Sequence, residues 1–203
     1  RAFQRDESAI RHWMEHEFPA IVRLAKRKQA TLLFLDETGV NEDHPVGRTW
    51  AKEGQRPVVR VSGTRRRANL ISAVSPRGRL WFRGYHGTLT ASRYEEFLTA
   101  LLQDIKGEIV LIHDCRPAHR AARVRRMIEQ HRGRLWVFEL PAHAPELNPD
   151  EHVWCYLKQG FCSAPVMQDE DFEERVETSM EFIAGDPALI RSFFDHPEVK
   201  YVK

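Results

Sequence analysis

Residues 108–140 read EIVLIHDCRPAHRAARVRRMIEQHRGRLWVFEL, and their order of patterns decides the fold. A short apolar run, Glu108–Asp114, ends in an acid. A basic segment with helical spacing follows at about 118–131, stopped near Gly133. A second apolar run occupies 134–140. Strand, helix and strand in succession imply two parallel strands joined by a right-handed crossover. Upstream, TLLFLD (31–36) is a similar apolar run ending in acid, the pattern of a strand covered on both faces. NLISAVS (69–75) and RLWFRGY (79–85) flank Pro76-Arg77-Gly78 and predict an antiparallel hairpin. Residues 48–62 allow a further hairpin around Gly54 and Pro57, and 39–47 read as a loop.

Helices complete the pattern. Residues 5–29 carry apolar residues at helical spacing, with Pro19 as a break or kink. Thr90, or the alternative Ser92–Glu95 capping pair, starts a helix whose stripe is Tyr94, Phe97, Leu98, Leu101, Leu102 and Ile105, with Gly107 closing it. A helix at 149–159 and two acidic amphipathic segments, about 168–184 and 187–195, follow. The expected architecture is an α/β fold, a mixed sheet with helices on both faces.

The 203 residues suffice for one domain with a sizeable core, and no apolar run approaches the length of a transmembrane helix. Three cysteines without framework spacing point to a reducing compartment. His113, Cys115 and His119 do not form a zinc signature, since no CxxC pair accompanies them. Net charge is only +2, yet it is uneven: seven arginines and one acid lie between Arg116 and Arg134, and Arg65–Arg67 is a second basic cluster. Such a face suits a phosphate backbone, and equally a solvated helix.

Asp36 and Asp114 each close an apolar run. On adjacent parallel strands they would sit side by side, where ligands of open α/β sheets gather. Two carboxylates there repel unless a cation lies between them, and oxygen donors select Mg²⁺ or Mn²⁺. A single Asp after a strand is more simply a turn cap. The third acid is therefore the test. In LNPDE (147–151), Asn148 is a good N-cap, Pro149 suits the first helical position, and Glu151 falls where a capping-box acid belongs. Capping accounts for neither Asp150 nor the proline-rich approach. Glu151 rather than Asp150 is the expected inward acid, with Val153, Trp154 and Leu157 packing its helix on the sheet.

Four segments in order, LFLDETG (33–39), RTWAKEGQRP (48–57), IHDCRPAH (112–119) and LPAHAPELNPDEHVWCYLK (140–158), resemble the DDE transposases of the Tc/mariner superfamily. The nearest likeness is to the bacterial insertion-sequence branch with its LNP-x-E-x-x-W signature. The 36 residues between Asp114 and Glu151 match that branch. The resemblance implies a ribonuclease H-like catalytic domain in which Asp36, Asp114 and Glu151 hold two Mg²⁺ or Mn²⁺ ions. It implies cleavage of double-stranded DNA at element ends and joining to target DNA at a TA dinucleotide. A homodimer or larger synaptic complex and a nucleoid location in the bacterial cytoplasm follow from it. Cys115 stands where the family usually has Asn, and His143-Ala144 where Tyr-Ser is common.

The implied division is a linker helix at 1–30 following an N-terminal DNA-binding region, a catalytic domain at 31–165 and a helical extension at 166–203. Arg48, Trp50, Arg65, Arg66, Arg67, His119, Arg120, Arg123 and Arg126 are candidate DNA contacts. Trp50 reads first as a buried hairpin aromatic and second as a platform for a flipped or frayed base, and His119 also reads as a residue at a helix start or beside the metal site. Two other functions remain open: a catalytically silent DNA-binding protein, and a nuclease that cuts without joining.

Overall fold

The computed structural model describes residues 5–42, 52–54, 66–161 and 170–202. A five-stranded sheet has the order β3-β2-β1-β4-β5. The strands are β1 (Thr31–Asn41), β2 (Arg67–Ser75), β3 (Arg79–Tyr85), β4 (Ile109–His113) and β5 (Leu135–Glu139). β1, β4 and β5 run parallel, while β2 and β3 form the expected antiparallel hairpin against β1. Gly78 closes that hairpin at φ +81, a conformation costly for any residue with a Cβ.

Strand alternation divides the core in two. Leu33, Leu35, Ile109 and Leu111 face α3 (Ala91–Asp104) and α4 (Ala122–Gln130). Phe34, Val110 and Ile112 face the opposite layer. That layer contains α1 (Glu7–His12), α2 (Phe18–Lys28), α5 (Asp150–Tyr156), α6 (Phe172–Ala184) and α7 (Pro187–Ser192). Helices therefore cover both faces, as the sequence pattern requires. No helix among the described residues is long and apolar enough to cross a membrane.

Four local expectations are corrected. β1 does not stop at Asp36: β2 pairs with it up to Asn41, so the ladder continues through part of the expected loop. Pro19 does not break its helix. A π-turn at Trp13–Glu17 precedes it, and the Phe18 N–H reaches back to the Trp13 carbonyl, which accommodates the missing proline donor. Gly107 does not cap α3, which ends at Asp104 with extended Ile105 behind it. The basic helix begins at Ala122, after a turn over 117–120. Thr90 is the N-cap of α3, accepting from the Arg93 N–H at 3.3 Å. The possible hairpin at 48–62 lies almost wholly outside the described residues.

Candidate active site

β1 and β4 are neighbours in register, Phe34 opposite Ile112, so Asp36 lies level with Asp114 just past the end of β4. The same alternation assigns their surroundings. Asp36 shares the face of Phe34, where α5 packs, whereas Glu37 shares the face of Leu35, where α3 packs.

α5 reaches Asp36 through a rigid approach. Pro145–Leu147 forms a 3₁₀ turn. Tyr201 donates its hydroxyl to the Leu147 carbonyl, and Arg5 pairs with Glu146. Pro149 already has helical dihedrals (φ −58, ψ −24). Asn148 caps the helix, its Oδ1 accepting from the Asp150 N–H at 3.1 Å, while its Nδ2 donates to the Leu35 carbonyl at 3.0 Å. One side chain thus starts α5 and ties it to β1. Val153, Trp154 and Leu157 are buried against the sheet as expected. Trp154 does more than pack: its Nε1 donates to Asp36 Oδ2 at 3.1 Å.

Asp36, Asp114 and Glu151 line one open cleft of about 490 Å³, together with Cys115, Arg116 and the 140–145 turn. Asp36 is 5% exposed. Burial, then Glu151, then Glu37 push its pKa up to about 8. Burial likewise raises the Glu151 carboxyl, despite Lys158 and Arg116 nearby. Asp150 does not enter the cleft. It is fully buried, and both its oxygens lie within hydrogen-bond reach of the Ser72 hydroxyl, at 2.8 and 2.7 Å. Burial and Asp36 push its pKa well above the carboxylate range.

Asp114 has a different environment. The Arg116 guanidinium bridges Asp114 Oδ2 at 2.9 Å and Glu37 Oε1 at 2.7 Å. His119 Nδ1 lies 3.0 Å from Asp114 Oδ1 and Nε2 lies 3.5 Å from Glu37 Oε2. Burial acts to raise Asp114, but the bonds from His119 and Arg116 outweigh it and hold the carboxyl at about 2. Burial acts to lower His119, and its bonds to Asp114 and Glu37 outweigh it, leaving the imidazole at about 9. Among the described residues the Glu37 oxygens accept no well-aligned hydrogen bond, so the Glu37 pairs are close charge contacts, whereas Asp114 accepts hydrogen bonds from Arg116. Behind them, burial lowers His113 to about 3, with the Tyr94 hydroxyl 3.2 Å from its Nδ1.

The candidate DNA contacts divide. His119 is 2% exposed and bonded to two carboxylates, so it presents no face to a phosphate. It belongs beside the acidic site instead. Arg120 and Arg123 are exposed but paired with Glu139 and Glu95, and Arg126 is exposed. Arg66 is held by Glu42 and donates to the Glu170 carbonyl, whereas Arg67 is exposed and donates to Asn69. Arg48, Trp50 and Arg65 lie outside the described residues. Sequence reading missed Glu37, Ser72 and the indole of Trp154. The alternation of β1 could have flagged Glu37, because adjacent acids in a buried strand must face opposite layers.

An oxygen-rich cleft at the ends of parallel strands, entered by a third acid on a helix, agrees with the match of residues 31–173 to the family model of the DDE superfamily endonucleases. The chain belongs to that family. Its fold is that of the Mos1 mariner transposase catalytic domain, with a TM-score of 0.67 at 17% identity over 100% of this chain and 95% of that one. It also matches the Mos1 paired-end complex with left transposon end, at a TM-score of 0.71 and 17% identity. For the Mos1 strand transfer complex the values are 0.68 and 20%. In these two cases 98% of this chain is covered, but only 62% and 61% of the Mos1 chains, so the chain spans less than two thirds of their length. No curated protein gives a significant match.

The donor set fits divalent cations. Asp36 is a carboxyl raised by burial and by Glu151, Glu37 and Asp114, and all three cleft acids offer oxygen. A hard cation would relieve that repulsion without exchanging donors for nitrogen or sulfur.

Proposed function

We propose that this chain is the catalytic domain of a transposase that cuts double-stranded DNA at element ends and joins the freed 3′ end to target DNA. The observation that carries the reading is the cleft itself. Three acids, from the middle of β1, the end of β4 and the start of α5, line it, and among the described residues no basic side chain is bonded to the most deeply buried of them.

Asp36, Asp114 and Glu151 would hold two Mg²⁺ or Mn²⁺ ions. Bound there, the ions would supply activation of water or a 3′-hydroxyl and stabilisation of the leaving oxygen of an in-line displacement on phosphorus. The chain's own contribution is placement. Trp154 orients one oxygen of Asp36, a residue that lines the cleft. Asn148 fixes the start of α5, and hence Glu151, against β1. Arg116 and His119 keep Asp114 ionised at neutral pH. Arg116 is half exposed at the cleft and lies within reach of an approaching phosphate.

The exposed arginines 120, 123 and 126 on and beside α4, with Arg67, extend a basic track for the DNA backbone. Trp50, Arg48 and Arg65 complete that reading. The TA target, the homodimeric or larger synaptic complex, the nucleoid of a bacterial cytoplasm and the division at residues 30 and 165 rest on the family resemblance.

Incubation with supercoiled plasmid and Mn²⁺ tests the cutting, and a pre-cut donor with a free 3′-hydroxyl tests the joining. Nicked plasmid and a covalent donor–target product are expected. No nicking at any metal concentration would favour a silent DNA-binding protein, and nicking without joined product a simple nuclease.

A further inference from the structure

On the side of α5 turned from the cleft, His152 stacks on His196, with ring centroids 3.9 Å apart and planes 12° apart. His196 immediately precedes the last 3₁₀ segment, Pro197–Val202, and accepts the Val199 N–H on its carbonyl. Glu198 lies on that segment, and one ligand atom from each of His152, His196 and Glu198 falls within 4.8 Å of the others. His152 Nε2 is buried and has no hydrogen-bond partner among the described residues. A buried ring nitrogen without a partner is costly, and none of the described residues supplies one.

We propose that His152, His196 and Glu198 form a binding site for a zinc-class transition-metal cation, which clasps the C-terminal 3₁₀ segment onto α5. Two imidazoles and one carboxylate are borderline donors. They favour Zn²⁺ over the hard cations that an all-oxygen cleft selects. Three protein ligands leave one position for water. Nearly parallel rings do not aim both lone pairs at one ion, and two imidazoles bound at about 2.0–2.1 Å to one tetrahedral zinc have ring centroids roughly 5 Å apart, well beyond the 3.9 Å of this stack. Binding therefore opens the stack, and the exposed His196 is the ring that turns. His152 directly follows Glu151, so the clasp would brace the helix that carries the third cleft acid. The site is independent of the transposase reading, because its donors, location and metal preference all differ from those of the cleft.

Titration of the whole chain with Zn²⁺ alone, against a chromophoric chelator, tests this. One high-affinity Zn²⁺ is expected, with a rise in thermal midpoint that EDTA reverses. His196→Ala and Glu198→Gln alter exposed residues and should fold normally while weakening Zn²⁺ by roughly tenfold or more. Asp36→Asn and Cys155→Ser should leave the affinity unchanged. Co²⁺ substitution should give a visible spectrum of nitrogen and oxygen ligation that His196→Ala abolishes. The site is refuted if Zn²⁺ fails to bind, if His196→Ala binds as tightly as the parent, or if binding disappears with Asp36→Asn or Cys155→Ser.

Discussion

The two faces of the sheet handle charge in opposite ways at the point where β4 stops. On the α5 face, Asp36 packs near Asp150 and Glu151, accepts a hydrogen bond from the Trp154 indole, and holds its proton up to about 8. On the α3 face, Glu37 shares Arg116 and His119 with Asp114, which stays ionised down to about 2. One face crowds carboxyl groups that only a proton or a cation can neutralise, and the other neutralises its charge internally. A site for an external cation needs both conditions: unsatisfied carboxylates to receive it, and a fixed partner to hold one of them in place.

Altering the crowded face should have the largest effect. Asp36→Asn is expected to abolish Mn²⁺-dependent plasmid nicking while DNA binding survives, and Asp114→Asn should do the same. The two variants should differ in metal-free stability. Removing the Asp36 charge should raise the thermal midpoint, at about 2–4 °C per kcal/mol for a chain this size, whereas Asp114→Asn removes ion pairs and should lower it. Equal shifts in calorimetry would break the contrast between the faces.

A smaller loss is expected on the self-neutralised face. Glu37→Gln and His119→Ala should each cut the nicking rate by roughly 10–100-fold and raise the Mn²⁺ needed for half-maximal rate, since both act by positioning Asp114. A fall in rate with no change in metal dependence would mean that the pair serves the fold alone.

The pH dependence of stability sharpens the comparison further. Asp36 and His119 both bind a proton more tightly in the folded state than in the unfolded one. Each therefore stabilises the fold below its unfolded value and loses that contribution as pH rises through its folded value. The metal-free midpoint should fall between about pH 6.5 and 9, the window set by His119, with Asp36 contributing up to about 8. Saturating Mn²⁺ should flatten the curve by favouring the charged carboxylates. A midpoint that rises over this window would contradict both assignments.

The smallest effects belong to the arginines. Arg120→Ala, Arg123→Ala and Arg126→Ala should each weaken plasmid binding modestly and reduce the salt slope by about one. The nicking rate at saturating DNA should not change.

Much of this was legible in the chain. Apolar runs closed by acids predicted adjacent parallel strands, and the family resemblance, with its matching 36-residue interval, pointed to Glu151, which the fold brings to the same cleft. Alternation in β1 and β4 was enough to divide the layers. What escaped was set by contacts between distant residues. The Ser72–Asp150 bond joins residues 78 apart, and nothing near either one announces it. His119 was readable as a neighbour of the acids, but not as a buried bridge between two of them, because Glu37 reaches it from another strand. The π-turn before Pro19 was hidden too, since apolar spacing does not distinguish an insertion from a kink. The extension of β1 beyond Asp36 came from its pairing with β2, which overrode the loop signals of residues 39–41.

The indole of Trp154 touches the most buried cleft acid directly. Any change of charge at that carboxylate alters the electric field across the ring. The protein thus carries an intrinsic optical probe of its own site. The emission difference between the parent chain and Trp154→Phe, followed during Mn²⁺ addition, should trace occupancy without label or substrate.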